Sequence, residues 1–79
     1  MELFLHNLEV LINDMNDQTT YMNACDCTTE DGYETYVYHR TALNEVYFEA
    51  IGMTQACLLL TNTNYTVMKV NGIYEIIKR

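Results

Sequence analysis

Residues 21–40 read YMNACDCTTEDGYETYVYHR, and the way this stretch folds decides what kind of object the chain is. From Cys25 to His39 it gathers two cysteines, four acids and three tyrosines, with no lysine or arginine among them. Asp31-Gly32 is a two-residue pair that tolerates positive φ. Residues 21–27 and 33–40 on either side are rich in strand formers, so the local chemistry predicts a β-hairpin. With a loop of those two residues alone, Glu30 faces Tyr33, Cys27 faces Tyr36 and Cys25 faces Tyr38. That register sets both thiols beside tyrosines on one face and Ala24, Asp26, Val37 and His39 on the other, and a longer loop would exchange the faces.

Upstream, Phe4, Leu8, Leu11, Ile12 and Met15 recur at helical spacing, with Glu2, His6, Glu9, Asn13 and Asn16 opposite, which predicts a first helix over residues 2–16. Asp14 and Asp17 would then lie at its C-terminal end, where the helix dipole disfavours anions. Downstream, residues 41–60 (TALNEVYFEAIGMTQACLLL) read as a second helix. Leu43, Val46, Tyr47, Ala50, Ile51, Cys57 and Leu58 form its buried stripe, and Gly52 marks a break or bend. The run VYFEAI at 46–51 also suits a strand, and over so short a span periodicity does not separate the two. YTVMKV and IYEIIK flank Asn71-Gly72, the strongest short-range signal for a type I′ turn. Pairing about that turn puts Met68, Val70, Ile73 and Ile77 on one face and Tyr65, Val67, Tyr74 and Ile76 on the other. The expected architecture is α+β: a single domain over residues 1–79 in the order helix, hairpin, helix, hairpin, with an antiparallel sheet carrying helices on one face.

The chain of 79 residues, 49% of them apolar, with no proline and three glycines, has the composition of one globular domain near the lower size limit. Its opening, MELFLHNLEV, has an acid where a secretory signal has a cation, and the apolar run breaks at His6. The longest apolar run, ACLLL, falls far short of the ~18 residues of a membrane span. Three cysteines, an odd count, fit reduced thiols better than an exported disulfide framework. A cytoplasmic protein with no membrane association is therefore expected.

The net charge of −7 is unevenly spread. Residues 1–39 hold eight acids and no Lys or Arg, whereas residues 40–79 hold three acids against four bases. Phosphate neutralisation by Lys and Arg supplies most nucleic-acid affinity, so direct binding to nucleic acid is excluded as the leading function. A basic protein surface is the complementary partner.

The remaining chemistry is sparse. Cys25 and Cys27 have the wrong spacing for a structural zinc site and would need His39 or His6 with Cys57 to complete four ligands, so no metal and no cofactor is expected. The expectation for the pair is two small buried thiols packed beside tyrosines. His6 and His39 are present as activating bases, but there is no nucleophile elbow, and the isolated glycines form no phosphate loop, so the chain does not read as an enzyme.

What stands out is seven tyrosines and an acidic first half. Asp26, Glu30, Asp31, Tyr33, Glu34 and Tyr36 at the first turn, with Asp14 and Asp17, are the candidate partner-binding residues. Short, acidic, tyrosine-rich and without catalytic motifs, the chain resembles in general character the inhibitors carried by phages and mobile elements, anti-CRISPR proteins among them. That resemblance implies an inhibitor or modulator that occludes a basic surface, such as the nucleic-acid site of a larger enzyme, and carries over no individual residue. The competing expectation is a structural or accessory protein that forms a homodimer through the apolar face of the second hairpin.

Overall fold

The computed structural model describes residues 2–79; Met1 and the side chain of Glu2 fall outside the described residues. The chain runs as α1 (Glu2–Asn23), α2 (Glu30–Thr61), β1 (Tyr65–Val70) and β2 (Ile73–Lys78). The α+β class, the antiparallel terminal hairpin and the helices on one face of it are as expected. The hairpin expected over 21–40 is not there: residues 24–29 make a turn between two helices, and the chain is helical from Glu30 to Thr61.

The reason lies in Thr29. Its backbone is extended, its Oγ1 accepts from the Gly32 N–H at 3.0 Å, and its carbonyl accepts from the Tyr33 N–H at 3.0 Å, which makes it an N-cap. Glu30 and Asp31 then occupy the first turn, where carboxylates meet the positive end of the helix dipole. Gly32 serves a different purpose from the one its neighbour Asp31 suggests. A β-carbon there would stand 1.9 Å from the Asp26 carbonyl oxygen, so the glycine lets the inter-helix turn fold back onto the start of α2. The pair is a helix entry under steric constraint, not a hairpin loop.

Helix α1 also outruns its expected end at residue 16, reaching Asn23. Leu8, Ile12 and Met15 are buried, with Phe4 and Leu11 half-buried beside them, as the spacing requires. Asn16, placed on the exposed side by the sequence pattern, is half-buried instead. Helix α2 continues without interruption through Gly52, so neither a break there nor the strand alternative for 46–51 occurs. Its buried residues are Leu43, Ala50, Thr54 and Cys57, whereas Tyr47 and Leu58 stay exposed. It ends at Asn62, a left-handed C-cap with φ 57° whose N–H donates to the Leu58 carbonyl at 2.9 Å. At 1.5 Å per residue, its 32 residues reach about 48 Å, which accounts for the 47 Å long dimension of the molecule.

Asn71 and Gly72 both take positive φ, 53° and 82°, as a type I′ turn demands. The register pairs Val70 with Ile73 and Tyr65 with Lys78 at its two ends. Tyr65, Val67, Tyr74 and Ile76 therefore face the helices, with β2 against α1 and β1 against α2. Met68, Val70 and Ile73 are exposed on the outer face, and Ile77 is half-buried. Asn16 explains how the sheet is held. Its Nδ2 donates to the Tyr74 carbonyl at 3.1 Å and its Oδ1 accepts from the Tyr74 N–H at 2.8 Å. One buried cluster, Leu8, Ile12, Met15, Leu43, Ala50 and Val67, joins both helices and the hairpin.

The two helical glycines should respond oppositely to alanine. Gly32→Ala forces a β-carbon into the Asp26 backbone and is expected to destabilise by more than ~1 kcal/mol. Gly52 has nothing within 4 Å of a would-be β-carbon, so Gly52→Ala should stabilise the helix by up to ~1 kcal/mol. Thermal melts of the two variants check this, and shifts of the same sign would contradict the turn geometry.

Candidate functional site

His39 on α2 meets Gln18 on α1, its Nδ1 lying 2.6 Å from Gln18 Oε1. Gln18 Nε2 in turn donates to Asp14 Oδ1 at 3.2 Å. Because that amide donates from its nitrogen, its oxygen can only accept, and His39 carries its proton on Nδ1. The chain Asp14–Gln18–His39 marks where the two helices are tied. Beyond it lies the helix–turn–helix end of the molecule, residues 17–38.

This end carries Asp17, Asp26, Glu30, Asp31 and Glu34, all exposed, and no Lys or Arg. Of the candidate residues, Asp17, Asp26, Glu30, Asp31, Tyr33 and Glu34 are thus presented to solvent at one end. Asp14 is half-buried and engaged with Gln18, and Tyr36 is half-buried. The helix-end argument for Asp14 and Asp17 does not survive. Helix α1 reaches Asn23, and the dipole acts only within the last turn.

Three of the exposed acids have structural work of their own. Asp26 Oδ1 accepts from the Thr28 hydroxyl at 2.5 Å and the Thr28 N–H at 3.0 Å, and these bonds, the hydroxyl's first, hold its carboxyl below the usual aspartate range. Glu30 and Asp31 complement the helix dipole. Asp17 and Glu34 have no such local role, which makes them the acids most open to a functional reading.

Sequence reasoning missed Tyr38 and Tyr21. Tyr38 is 70% exposed, with its ring edge-on to His39 at 5.2 Å, and Tyr21 lies against the same imidazole at 5.0 Å. Asp31, Glu34, Thr35 and Tyr38 line an open depression of about 340 Å³ on α2. These four sit at i, i+3, i+4 and i+7, a helical grouping that no strand register brings together. Two carboxylates beside an exposed aromatic ring suit an Arg or Lys side chain, which gains charge pairing and a cation–π contact at once.

The cysteines need correction. Neither is packed against Tyr36 or Tyr38 in a sheet. Cys27 is exposed in the turn, and Cys25 is half-buried with its thiol donating to the Tyr21 carbonyl at 3.2 Å. Cys57, on α2, is the buried one, its sulfur 3.4 Å from Thr61 Oγ1. All three thiols are free. Among the described residues no three His, Cys, Asp or Glu side chains come together to hold a metal ion, and no described helix is long and apolar enough to cross a membrane.

Comparison of the chain with models of known families, with curated proteins and with solved structures finds no match in any of the three.

The Asp26 bonds carry a pH signature. Since its folded pKa lies below the unfolded one, the ionised carboxylate stabilises the turn above about pH 4, and that contribution is lost as pH falls through the folded value. A carboxyl-carbon NMR titration should therefore give Asp26 a midpoint below the ordinary aspartate value, and Thr28→Ala, which removes the hydroxyl's bond, should raise it. An Asp26 midpoint at or above the ordinary aspartate value, or one that Thr28→Ala leaves unmoved, would contradict the bonds to Thr28.

Proposed function

We propose that this protein is a protein-binding inhibitor or modulator that presents its helix–turn–helix end to a basic surface of a larger protein. The single observation behind this reading is the concentration, at one end of an elongated molecule, of five exposed carboxylates and the exposed rings of Tyr21, Tyr33 and Tyr38, with no cation among them. Aromatic anchors within a charged rim are the usual anatomy of a recognition patch, and the uniform charge speeds encounter with a basic partner while repelling acidic ones. A basic surface that normally holds nucleic acid fits this charge, because carboxylates can stand where phosphates stand. No group of the site is arranged as a nucleophile with its base, so the reading is of binding and not of turnover.

Self-association through the outer hairpin face is the second reading, favoured by the exposure of Met68, Val70 and Ile73. That face is partly shielded. Arg79 reaches across it, its Nε donating to Thr66 Oγ1 at 3.2 Å and its Nη2 lying 3.9 Å from the Met68 sulfur.

The test separates binding from folding by choosing acids without a structural role. Asp17→Lys with Glu34→Lys should leave thermal stability nearly unchanged, whereas reversal of Glu30 and Asp31 should lower it through the helix dipole. Affinity for a basic partner captured from a host lysate should fall more than tenfold in the Asp17/Glu34 double variant, and Tyr38→Ala should cost about 2 kcal/mol of binding. Association should slow as salt rises. Binding that survives both changes would overturn the acidic-end reading.

A further inference from the structure

The helix pair has two faces, and the hairpin covers one of them. On α1 the covered side is marked by Asn16, whose amide meets Tyr74, and on α2 by Tyr47, whose ring lies 6.4 Å from that of Tyr74. Residues about two and a half turns apart face opposite sides of a helix. Asn7 of α1, and Tyr38 and Ala56 of α2, therefore point away from the hairpin. Val10, Asp14 and Tyr21 follow Asn7 at whole-turn spacings, and Glu45 and Glu49 lie between Tyr38 and Ala56 in the same way. The Gln18–His39 bond and the contact of Tyr21 with His39 hold the two helices side by side, leaving a groove between them on this face. Val46 and Met53, half-buried and packed on the core, form its floor.

This face carries acids and no base. Asp14, Glu45 and Glu49 stand along it, and Asp17, Asp31 and Glu34 continue it at the turn end. All four bases of the chain lie on the other side. Lys69, Lys78 and Arg79 belong to the hairpin, and Arg40 precedes Tyr47 by about two turns on the same side of α2. Glu9 and Glu75 share that side, so it is mixed in charge where the open face is uniform. The charge difference thus separates two faces of the molecule as well as two ends. Among the acids of the open face, Val10, Tyr21 and Tyr38 are 54%, 51% and 70% exposed.

We infer that this groove receives a basic amphipathic helix of the partner protein. Its apolar stripe lies on Val10, Tyr21 and Tyr38, and its Lys and Arg side chains reach the acids on either rim. The inference rests on the reading above, that the partner is a basic protein, and extends the contact from the turn along the whole helix pair. A groove between two helices accepts a third, packed ridge into groove. The chemistry of the groove then selects among helices: apolar side chains need an apolar stripe opposite them, and uniform acid repels an acidic helix while attracting a cationic one. A second copy of this chain does not fit, because α1 has no base and α2 only Arg40. The 22 residues of α1 span about 33 Å, which a partner helix of about 20 residues matches.

An NMR titration of the full chain tests this with a synthetic helical peptide of about 18 residues that carries Leu along one face and Lys elsewhere. A peptide of the same composition, shuffled to remove the apolar face, and one with Glu in place of Lys serve as comparisons. The Leu/Lys peptide should shift the amides of Val10, Tyr21, Glu49 and Ala56 and leave those of Met68, Val70 and Ile73 unmoved. It should bind more than tenfold tighter than the shuffled peptide, and the Glu peptide should not bind. Val10→Lys with Glu49→Lys should weaken binding more than tenfold with circular dichroism unchanged. Asn13→Lys with Glu75→Lys adds the same charge away from the groove and should leave affinity within a few-fold. Shifts confined to residues 17–38 would overturn the groove while leaving the acidic-end reading standing. Equal binding of the shuffled peptide, equal loss in the two double variants, or no binding of the Leu/Lys peptide would overturn it as well.

Discussion

The Asn16 amide hydrogen-bonds the hairpin to the helix pair, alongside the buried cluster that packs the two together. A two-stranded hairpin is at best marginally stable alone, and a pair of helices with so few fully buried side chains has little core of its own. The Asn16 amide supplies what each lacks. The Arg79 N–H donates to the Asn64 carbonyl, so the hydrogen-bonded pairs alternate from there to Val70 and Ile73, and Tyr74 falls between them with its own N–H and C=O turned away from β1. Those two groups would be an open strand edge. Asn16 meets both of them, as a neighbouring strand would, and in doing so holds Val67 and Ile76 over Leu8, Ile12 and Met15.

With the hairpin fixed over the middle of the helix pair, the far end is left to solvent. The acids there divide by what holds them in place. Asp26, Glu30 and Asp31 shape the turn and the start of α2, and would be favoured at those positions whatever the protein does. Asp17, Glu34 and the exposed tyrosines have no such origin. The functional reading therefore rests on a smaller and more specific set than the net charge suggests, and its centre moves from the turn itself to the Asp31–Glu34–Tyr38 face of α2.

The legible parts of the sequence were those where a single local signal decides the outcome. Asn71-Gly72 with its alternating flanks specified a hairpin, its register and both faces, and the spacing of Leu8, Ile12 and Met15 specified the buried side of α1. Asp31-Gly32 misled because two physical causes demand the same residue: positive φ in a turn and close backbone approach at a helix entry. Strand-forming tyrosines around it strengthened the wrong one. The decisive cue was Thr29 followed by two acids, a helix start that outweighs β propensity once the following residues can bury against a partner helix. Asn16 was illegible for another reason. A polar residue on the polar side of a helix looks solvated until a strand edge from the other end of the chain arrives beside it. The exposed grouping of Asp31, Glu34 and Tyr38 likewise had no meaning until the segment was helical.

The claim that Asn16 makes helices and hairpin one cooperative unit is tested most directly by urea unfolding of Asn16→Ala, followed by NMR at the methyl groups of Val67 in the hairpin and Leu8 in α1. In the unsubstituted chain both methyls should lose their native signals at the same urea concentration, whereas loss of two hydrogen bonds in Asn16→Ala, with the Tyr74 backbone left unsatisfied against α1, should lower stability by about 2 kcal/mol and let the Val67 transition run ahead of that of Leu8. Midpoints unchanged by Asn16→Ala at both methyls, or transitions already separate in the unsubstituted chain, would contradict it.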